Sequence, residues 1–373
     1  MNILQINKYY PPVIGGIESV VKDVAESLSE YGWNVTTLVC QNQTGNASTV
    51  ETIQGSRVHR SRTWMILFRL PLSFDFFKTF RREAKDADVI LLHHPFPLGF
   101  FAYRFFGLKK PLVVFYHSDI IRQKFFARVL HPLTQQILSR AQRIFVTSER
   151  LQKNSSVLRL HQKKCVLTPL WIHSSSFETK DAQQKRTEEI RNEHPLPLLL
   201  SVGRSVYYKG HNILIEAMKL INARLLIIGE GPDVSALQQQ IQENQLSDRV
   251  QIIPPVDDLA PYYYAAEVFV FPSTQPSEAF GIVQLEAMAC GLPVINTYLP
   301  TGVPWVSLHC ETGITVPPNN VIALVSAMQE LLSDKPLRTL YSQNAKKRVL
   351  LFNRAEIAQR ISIELKRVVQ TSS

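Results

Sequence analysis

Residues 268–296, VFVFPSTQPSEAFGIVQLEAMACGLPVIN, constrain the fold more tightly than any other stretch of the chain. Val268 to Phe271 is a short β-branched and aromatic run suited to a buried strand, and Pro272 breaks it into a polar loop, Ser273 to Glu278. A helix is expected from about Gly281 to Cys290, because Ile282, Leu285, Met288 and Ala289 recur at helical spacing. Gly291 suits the left-handed residue that closes a helix, and Pro293 prevents continuation. Leu292 to Ile295 is then the next strand. Strand, polar loop, helix and strand make a parallel βαβ unit. A loop at the carboxyl end of such a strand, with a helix N-terminus pointing into it, binds anions.

The same alternation recurs along the chain. Asn2 to Asn7, Asn34 to Cys40, Val89 to Leu92, Leu112 to Tyr116, Ala141 to Thr147 and Lys164 to Leu167 read as strands of one parallel sheet with helices on both faces. Leu198 to Val202, Arg224 to Ile228 and Val250 to Ile253 begin a second. Residues 174–197 between them are polar and charged, the composition of an interdomain connection with one helix. The tail reads as three helices, Val321 to Leu332, Pro336 to Leu351 and Ala355 to Val369. With 373 residues, 45% of them hydrophobic, the chain has material for two cores.

Polar residues at strand carboxyl ends face the ligand crevice of such sheets. Here His117 follows Leu112–Tyr116 and Arg204 and Lys209 follow Leu198–Val202, while Gly15-Gly16 before the first helix (Ile17 to Tyr31) can let a phosphate or sugar approach the backbone and Gly229 follows Arg224–Ile228. Val256 follows Val250–Ile253, and Glu278, Phe280, Gly281, Ile282 and Glu286 follow Val268–Phe271. At a rise of about 1.5 Å per residue, Glu286 would lie about 7 to 8 Å below the first turn of its helix. A phosphorylated ligand on the helix end would then have one carboxylate on each side for hydroxyl groups, which describes a sugar nucleotide. Spacing alone also allows Glu278 as a helix cap, Glu286 and the two cations as solvated residues, Gly15-Gly16 as an ordinary turn and His117 as a structural histidine.

The carboxylate pair with seven residues between, set in SEAFGIVQLEAMACGLPVI, resembles the signature of retaining glycosyltransferases of the GT-B fold that use nucleotide sugars, the glycosyltransferase family 4-like enzymes. PPVIGGIE resembles their first loop, VVFYHSD the position where they place a His beside the donor sugar, and SVGRSVYYKG their phosphate-clamping loop. These motifs fall in family order, and the resemblance covers nearly the whole chain. It implies an α/β GT-B architecture of two Rossmann-like domains facing across a cleft. Residues 1–173 would form the acceptor-side domain, 174–197 the connection and 198–352 the nucleotide-sugar-binding domain, with the helix of 353–373 packing back on the first. It further implies catalytic roles for His117, Glu278, Arg204 and Lys209. Donor contacts would come from Gly15, Gly16, Arg204, Lys209, Gly229, Val256, Glu278, Phe280, Gly281, Ile282 and Glu286. The chain departs from the family at Trp171, where many members have glycine, and at His173, where they have an acidic residue, so no site is assigned there.

The reaction implied is transfer of a hexose with retention at the anomeric carbon, the leaving phosphate itself taking the acceptor's proton. The sugar expected is mannose from GDP-mannose, and the acceptor a glycan or lipid-linked glycan in cell-surface polysaccharide or glycolipid synthesis. The alternatives are a UDP-sugar-dependent transferase of the same fold and a non-catalytic protein that binds sugar nucleotides or polyanions. An NAD-dependent enzyme is disfavoured, because Gly229-Glu230-Gly231-Pro232 lacks the third glycine of the dinucleotide fingerprint. No Asp-x-Asp stands at a strand end. No metal and no cofactor besides the donor are therefore expected, cations and a helix dipole taking a metal's place.

Charge divides unevenly. The chain carries +10 overall, but residues 1–185 hold 25 Lys+Arg against 13 Asp+Glu and residues 186–373 hold 16 against 18, so the front half wants an anionic partner. Residues 57–82 interleave seven Lys and Arg with Trp64, Phe68, Phe74, Phe76, Phe77 and Phe80, and residues 100–130 repeat the mixture. That mixture suits the anionic face of a membrane; nothing resembles a nucleic-acid fold. MNILQIN is too short for a signal-peptide core, no run of about 18 apolar residues exists, and Cys40, Cys165, Cys290 and Cys310 are scattered as reduced thiols would be. The location expected is the cytoplasm or the inner face of the cell membrane.

Overall fold

The computed structural model describes residues 1–13, 15–67, 70–107, 109–119, 124–173, 177, 181–194 and 196–372. It divides into two compact units, Met1–Leu170 with Ala355–Ser373, and Trp171–Arg354.

The first unit holds β1 (Asn2–Ile6), β2 (Asn34–Thr44), β3 (Thr49–Ile53), β4 (Ser56–Thr63), β5 (Met65–Leu67), β6 (Leu70–Leu72), β7 (Val89–His94), β8 (Leu112–Tyr116), β9 (Arg143–Val146) and β10 (Cys165–Leu167). Eight of these make one sheet in the order β10-β9-β8-β7-β1-β2-β4-β3. Its strands are parallel except β3, which pairs antiparallel with β4 at the edge. The central strands β7 and β8 are buried along their whole length, and that is why β7 as far as Leu92 and all of β8 read as unbroken apolar runs. In contrast, β3 and β4 escaped the sequence reading. In β4, SRVHRSRT, three of the inward positions are Ser56, Ser61 and Thr63, so its period-2 burial is not a hydrophobic alternation.

The second unit has a six-stranded, all-parallel sheet. Its strands are β11 (Leu198–Val202), β12 (Arg224–Ile228), β13 (Val250–Ile253), β14 (Val268–Val270), β15 (Val294–Thr297) and β16 (Gly313–Val316), in the order β13-β12-β11-β14-β15-β16. Counted within the unit this is 3-2-1-4-5-6, the Rossmann order, and strand direction of travel reverses between β11 and β14. The first unit reverses in the same way between β1 and β7. Loops leaving the carboxyl ends of those strands diverge and leave a crevice.

The unit boundaries differ from those expected. The helix expected within 174–197 is Asp181–Glu193, and it belongs to the second unit, where Gln183 Nε2 donates to Asp258 Oδ2 at 3.0 Å and Arg191 donates to the Tyr264 carbonyl at 2.6 Å. The second unit starts at Trp171 and ends at Arg354. The last helix, Arg354–Ser372, packs on the first unit, with Trp33 Nε1 donating to Ser362 Oγ at 2.9 Å and Arg143 paired with Glu364 at 3.2 Å.

The aromatic and basic mixture of residues 57–130 also sorts differently. Phe76, Phe80 and Phe100 are core, and Arg57 and Arg60 are engaged by Glu83 and Glu51. Phe68, Arg69 and Arg122 lie outside the described residues, as do the side chains of Lys124, Phe125 and Phe126. Among the described residues no helix is long and apolar enough to cross a membrane.

Candidate functional site

In the second unit, the loops that leave β11 and β14 meet at the strand-order reversal. The β14 loop is fixed first by backbone contacts: Phe271 N–H donates to the Ile295 carbonyl at 2.7 Å and Thr274 N–H to the Tyr208 carbonyl at 2.7 Å. Thr301 Oγ1 donates to the Glu278 carbonyl at 2.7 Å, so the residue is anchored before its side chain makes any contact. The carboxylate then pairs with Lys209 Nζ at 2.6 Å and lies 3.4 Å from Ser273 Oγ. Lys209 also sits 4.7 Å above the Phe271 ring, a cation–π contact that holds its ammonium against the floor of the loop. Burial and the Glu278 carboxylate push the neighbouring Tyr208 phenol up to about 12, so it stays a neutral donor.

Arg204 projects from the β11 loop into solvent and, among the described residues, makes no hydrogen bond or ion pair. Its guanidinium is therefore an open cation in the same loop system as a neutralised one. The β12 loop is drawn in by Gly229, whose φ of +151° would place a Cβ 2.1 Å from the Gly203 carbonyl oxygen; no side chain fits that approach. Gly229 thus has a packing reason to be glycine. Val256 is half-buried in the loop after β13.

The helix after Glu278 is shorter than expected, Val283–Ala289, entered through a tight turn in which Gln284 N–H donates to the Gly281 carbonyl. Gly281 has φ +77°, and a Cβ there would lie 2.6 Å from the Phe271 ring, so the turn demands glycine. The helix closes as expected: Gly291 N–H donates to the Met288 carbonyl and Leu292 N–H to the Ala287 carbonyl, both at 2.9 Å. Glu286 consequently lies in the first turn, not one and a half turns inside. Its Oε2 accepts from Tyr263 OH at 2.8 Å, and burial raises its carboxyl above the usual range against the opposing effects of Tyr263 and Lys209. It is not a solvated helix residue. Phe280 is 3% exposed, its ring packed beside Trp305 and Phe352 and its carbonyl accepting from Gln284, so its side chain serves the core. Among the described residues the N–H groups of Gly281, Ile282 and Val283 find no acceptor and remain open donors.

The first unit places the other candidates. Gly15 precedes the helix Gly16–Glu30 in extended conformation, where a Cβ would lie 2.1 Å from Glu18 Oε2 and oblige that side chain to move, whereas a Cβ on Gly16 would meet open space. His117, 4% exposed, follows β8, stacks on Phe115 at 4.6 Å and has its Nε2 2.8 Å from His93 Nδ1. His93 and His94 end β7 and were missed by the sequence reading, although they satisfy the strand-end rule that selected His117. His94 stacks on Tyr116 at 4.2 Å. Burial holds all three imidazoles neutral, pushing His94 and His117 down to about 3 and His93 well below its ordinary value. A cavity lined by Asn2, Thr36, Arg57 and Glu83 opens at the amino ends of β1 and β2, the opposite end of the sheet from His117. Among the described residues no group of three or more His, Cys, Asp or Glu is placed to hold a metal ion.

Residues 14–174 match the family described as Glycosyltransferase Family 4, and residues 183–348 match Glycosyl transferases group 1. The chain is 34% identical over 337 residues to D-rhamnosyltransferase WbpZ of Pseudomonas aeruginosa, covering 89% of this chain and 86% of that one. It is 28% identical over 353 residues to O-antigen chain mannosyltransferase C of Escherichia coli, covering 93% of each. Its fold superposes on sucrose-phosphate synthase of Thermosynechococcus elongatus with a TM-score of 0.83 and 25% identity, covering 100% of both chains.

Proposed function

Because this chain belongs to the family 4-like glycosyltransferases and has the GT-B fold, we propose that it transfers mannose from GDP-mannose, with retention, to a growing lipid-linked glycan. It is a glycosyltransferase of a kind found among O-antigen and polysaccharide enzymes. The choice of mannose rests on similarity to a mannosyltransferase and a D-rhamnosyltransferase. The acceptor would be presented at the cytoplasmic face of the membrane.

The observation that carries the donor assignment is the Lys209–Glu278 pair beside the open Arg204 and the open N–H groups of Gly281, Ile282 and Val283. A diphosphate takes a fork of donors from Arg204, a point charge from Lys209 and hydrogen bonds from free N–H groups. Once Lys209 turns to phosphate, the Glu278 carboxylate becomes an acceptor for hydroxyls of the transferred sugar. Glu286, held by Tyr263, is the acceptor for the ribose hydroxyls. The cations stabilise the diphosphate as the glycosidic bond breaks, and a phosphate oxygen takes the acceptor's proton. His117 takes the role beside the donor sugar that the sequence resemblance implies.

A thermal-shift panel of GDP-mannose, other GDP-sugars, UDP-sugars and ADP-sugars tests this reading, since a bound donor raises the melting temperature by mass action. GDP-mannose is expected to give the largest shift. A larger shift with a UDP-sugar would replace the donor. Saturating donor with no turnover or hydrolysis under any acceptor would favour a non-catalytic binding protein.

A further inference from the structure

We propose that the β5–β6 hairpin and the exposed faces of the helices Phe74–Asp86 and Pro97–Phe106 form one surface that docks on an anionic phospholipid bilayer. The hairpin is a separate two-stranded sheet, and all three residues of β5 (Met65, Ile66, Leu67) are exposed. Two-stranded hairpins are marginal in water, and an apolar one with its side chains in solvent is a docking element rather than core. Trp64 and Phe74, 56% and 67% exposed, meet edge to face at 5.7 Å and join the hairpin to the Phe74–Asp86 helix. One turn along that helix, Phe77 meets Phe106 at 6.2 Å, which continues the surface onto Phe105, 61% exposed, and Phe101. Aromatic contacts therefore join the hairpin to the first turn of the Phe74–Asp86 helix, and the next residues of that helix to Pro97–Phe106.

Charge identifies the occupant. Arg62 stacks over Trp64 at 5.2 Å, and Lys78, Arg81 and Lys109 stand exposed beside the aromatics without a carboxylate partner among the described residues. On the Phe74–Asp86 helix, Glu83 is buried and neutralised by Arg57 and Arg82, Asp75 is half-buried at the first turn, and Asp86 lies at the far end. A second copy of the chain would set this basic rim against itself in a two-fold contact. A bilayer containing phosphatidylglycerol supplies phosphates for the rim and an interfacial depth suited to Trp and Phe. The surface deepens the proposed function by placing the enzyme where a lipid-linked acceptor resides. Vesicle binding needs no turnover, so failure of either reading leaves the other standing.

The test is flotation of the full chain with phosphatidylcholine vesicles, with and without phosphatidylglycerol, checked by thermal melts of each variant. Binding is expected only to the anionic vesicles and weakens with salt. It is accompanied by a blue shift of tryptophan emission that is lost in Trp64→Phe, because Trp33 and Trp171 are each only 3% exposed and Trp305 belongs to the other unit, packed against Phe280, Phe352 and Arg348. Trp64→Ser with Phe105→Ser, and separately Lys78→Glu with Arg81→Glu, each weaken binding about tenfold or more. Leu160→Ser, at an exposed apolar residue elsewhere on the unit, leaves it unchanged. Absence of binding to anionic vesicles, binding indifferent to the Trp64 and Phe105 changes, or a concentration-dependent dimer that shields Trp64 would each overturn the proposal.

Discussion

Lys209 and Glu278 are 2.6 Å apart with only about a tenth of each side chain exposed, and their pair ties the loop of β11 to the loop of β14. Two charges that far from water are held at a desolvation cost their attraction largely offsets, so neither is stable there alone. Lys209→Met is expected to destabilise the protein by about 3 to 5 kcal/mol, the range for orphaning one member of such a pair. Glu278→Gln keeps an amide oxygen that accepts from the ammonium and costs less. The double variant recovers part of the loss, and chemical denaturation of the four proteins measures the coupling. Turnover separates the functional role: Glu278→Gln lowers kcat even where it remains folded, because contacts to the transferred sugar strengthen in the transition state. Wild-type kinetics in Glu278→Gln would remove that residue from the site.

Arg204 carries no structural duty that the described residues reveal, so its substitution reads function directly. Arg204→Ala is expected to leave the melting temperature unchanged and to reduce turnover by about 3 to 4 kcal/mol of transition-state stabilisation, the scale of losing an oxyanion donor. Arg204→Lys retains part of the rate, since a point charge replaces the fork but still faces the diphosphate. EDTA should leave the rate unchanged. A strict need for manganese or magnesium would put the metal, not these cations, at the phosphates.

The ligand role proposed for Glu286 falls on a half-buried acid. Because burial raises its carboxyl pKa, the folded state holds the proton more tightly than the unfolded chain does. Its contribution to stability is present in full below the ordinary carboxylate range and is lost as pH rises through the raised value. Glu286→Gln should flatten that part of the stability–pH profile and weaken donor binding about tenfold or more, the scale of a lost charged hydrogen bond. Tyr263→Phe should lower donor affinity less, because it frees the carboxylate without removing it. Calorimetric titration with donor, run beside urea melts at several pH values, resolves the two effects. Unaltered donor affinity in Glu286→Gln would dismiss the ribose contact.

What the sequence revealed and what it concealed follow from burial. Strands enclosed on both faces, such as Leu112–Tyr116, Leu198–Val202 and Arg224–Ile228, were legible to the residue because apolar side chains dominate there, Ser201 and the leading Arg224 being the exceptions. The edge strand Thr49–Ile53 and its partner carry polar and basic residues on both faces and gave no periodic signal. At the site, the positions of Glu278 and Lys209 were legible from motif order, but their mutual pairing was not, since it depends on β11 and β14 being spatial neighbours. The tight turn at Gly281 shortened the expected helix and moved Glu286 into its first turn, a shift that the apolar spacing of Ile282, Leu285 and Met288 cannot report. His93 and His94 were hidden for the opposite reason: they continue an apolar strand into full burial, where imidazole is unusual.

That burial has a pH consequence. His93, His94 and His117 are all held neutral by desolvation, with His94 and His117 down to about 3, whereas in the unfolded chain each protonates near 6.5. Their folded values being depressed, the unfolded state binds more protons between these limits, so stability is fully present above about pH 6.5 and falls as pH drops towards 3. Each histidine adds a slope of about 1.4 kcal/mol per pH unit once the unfolded state is fully protonated. His94→Phe, which keeps a ring against Tyr116, should reduce the acid slope by one such proton while leaving the profile above pH 7 flat. His117→Phe should reduce it likewise and, unlike His94→Phe, lower kcat at neutral pH if His117 acts beside the donor sugar. Urea denaturation between pH 4 and 8 measures the slopes; a wild-type profile that stays level through this range would show that the three imidazoles are not neutral in the fold.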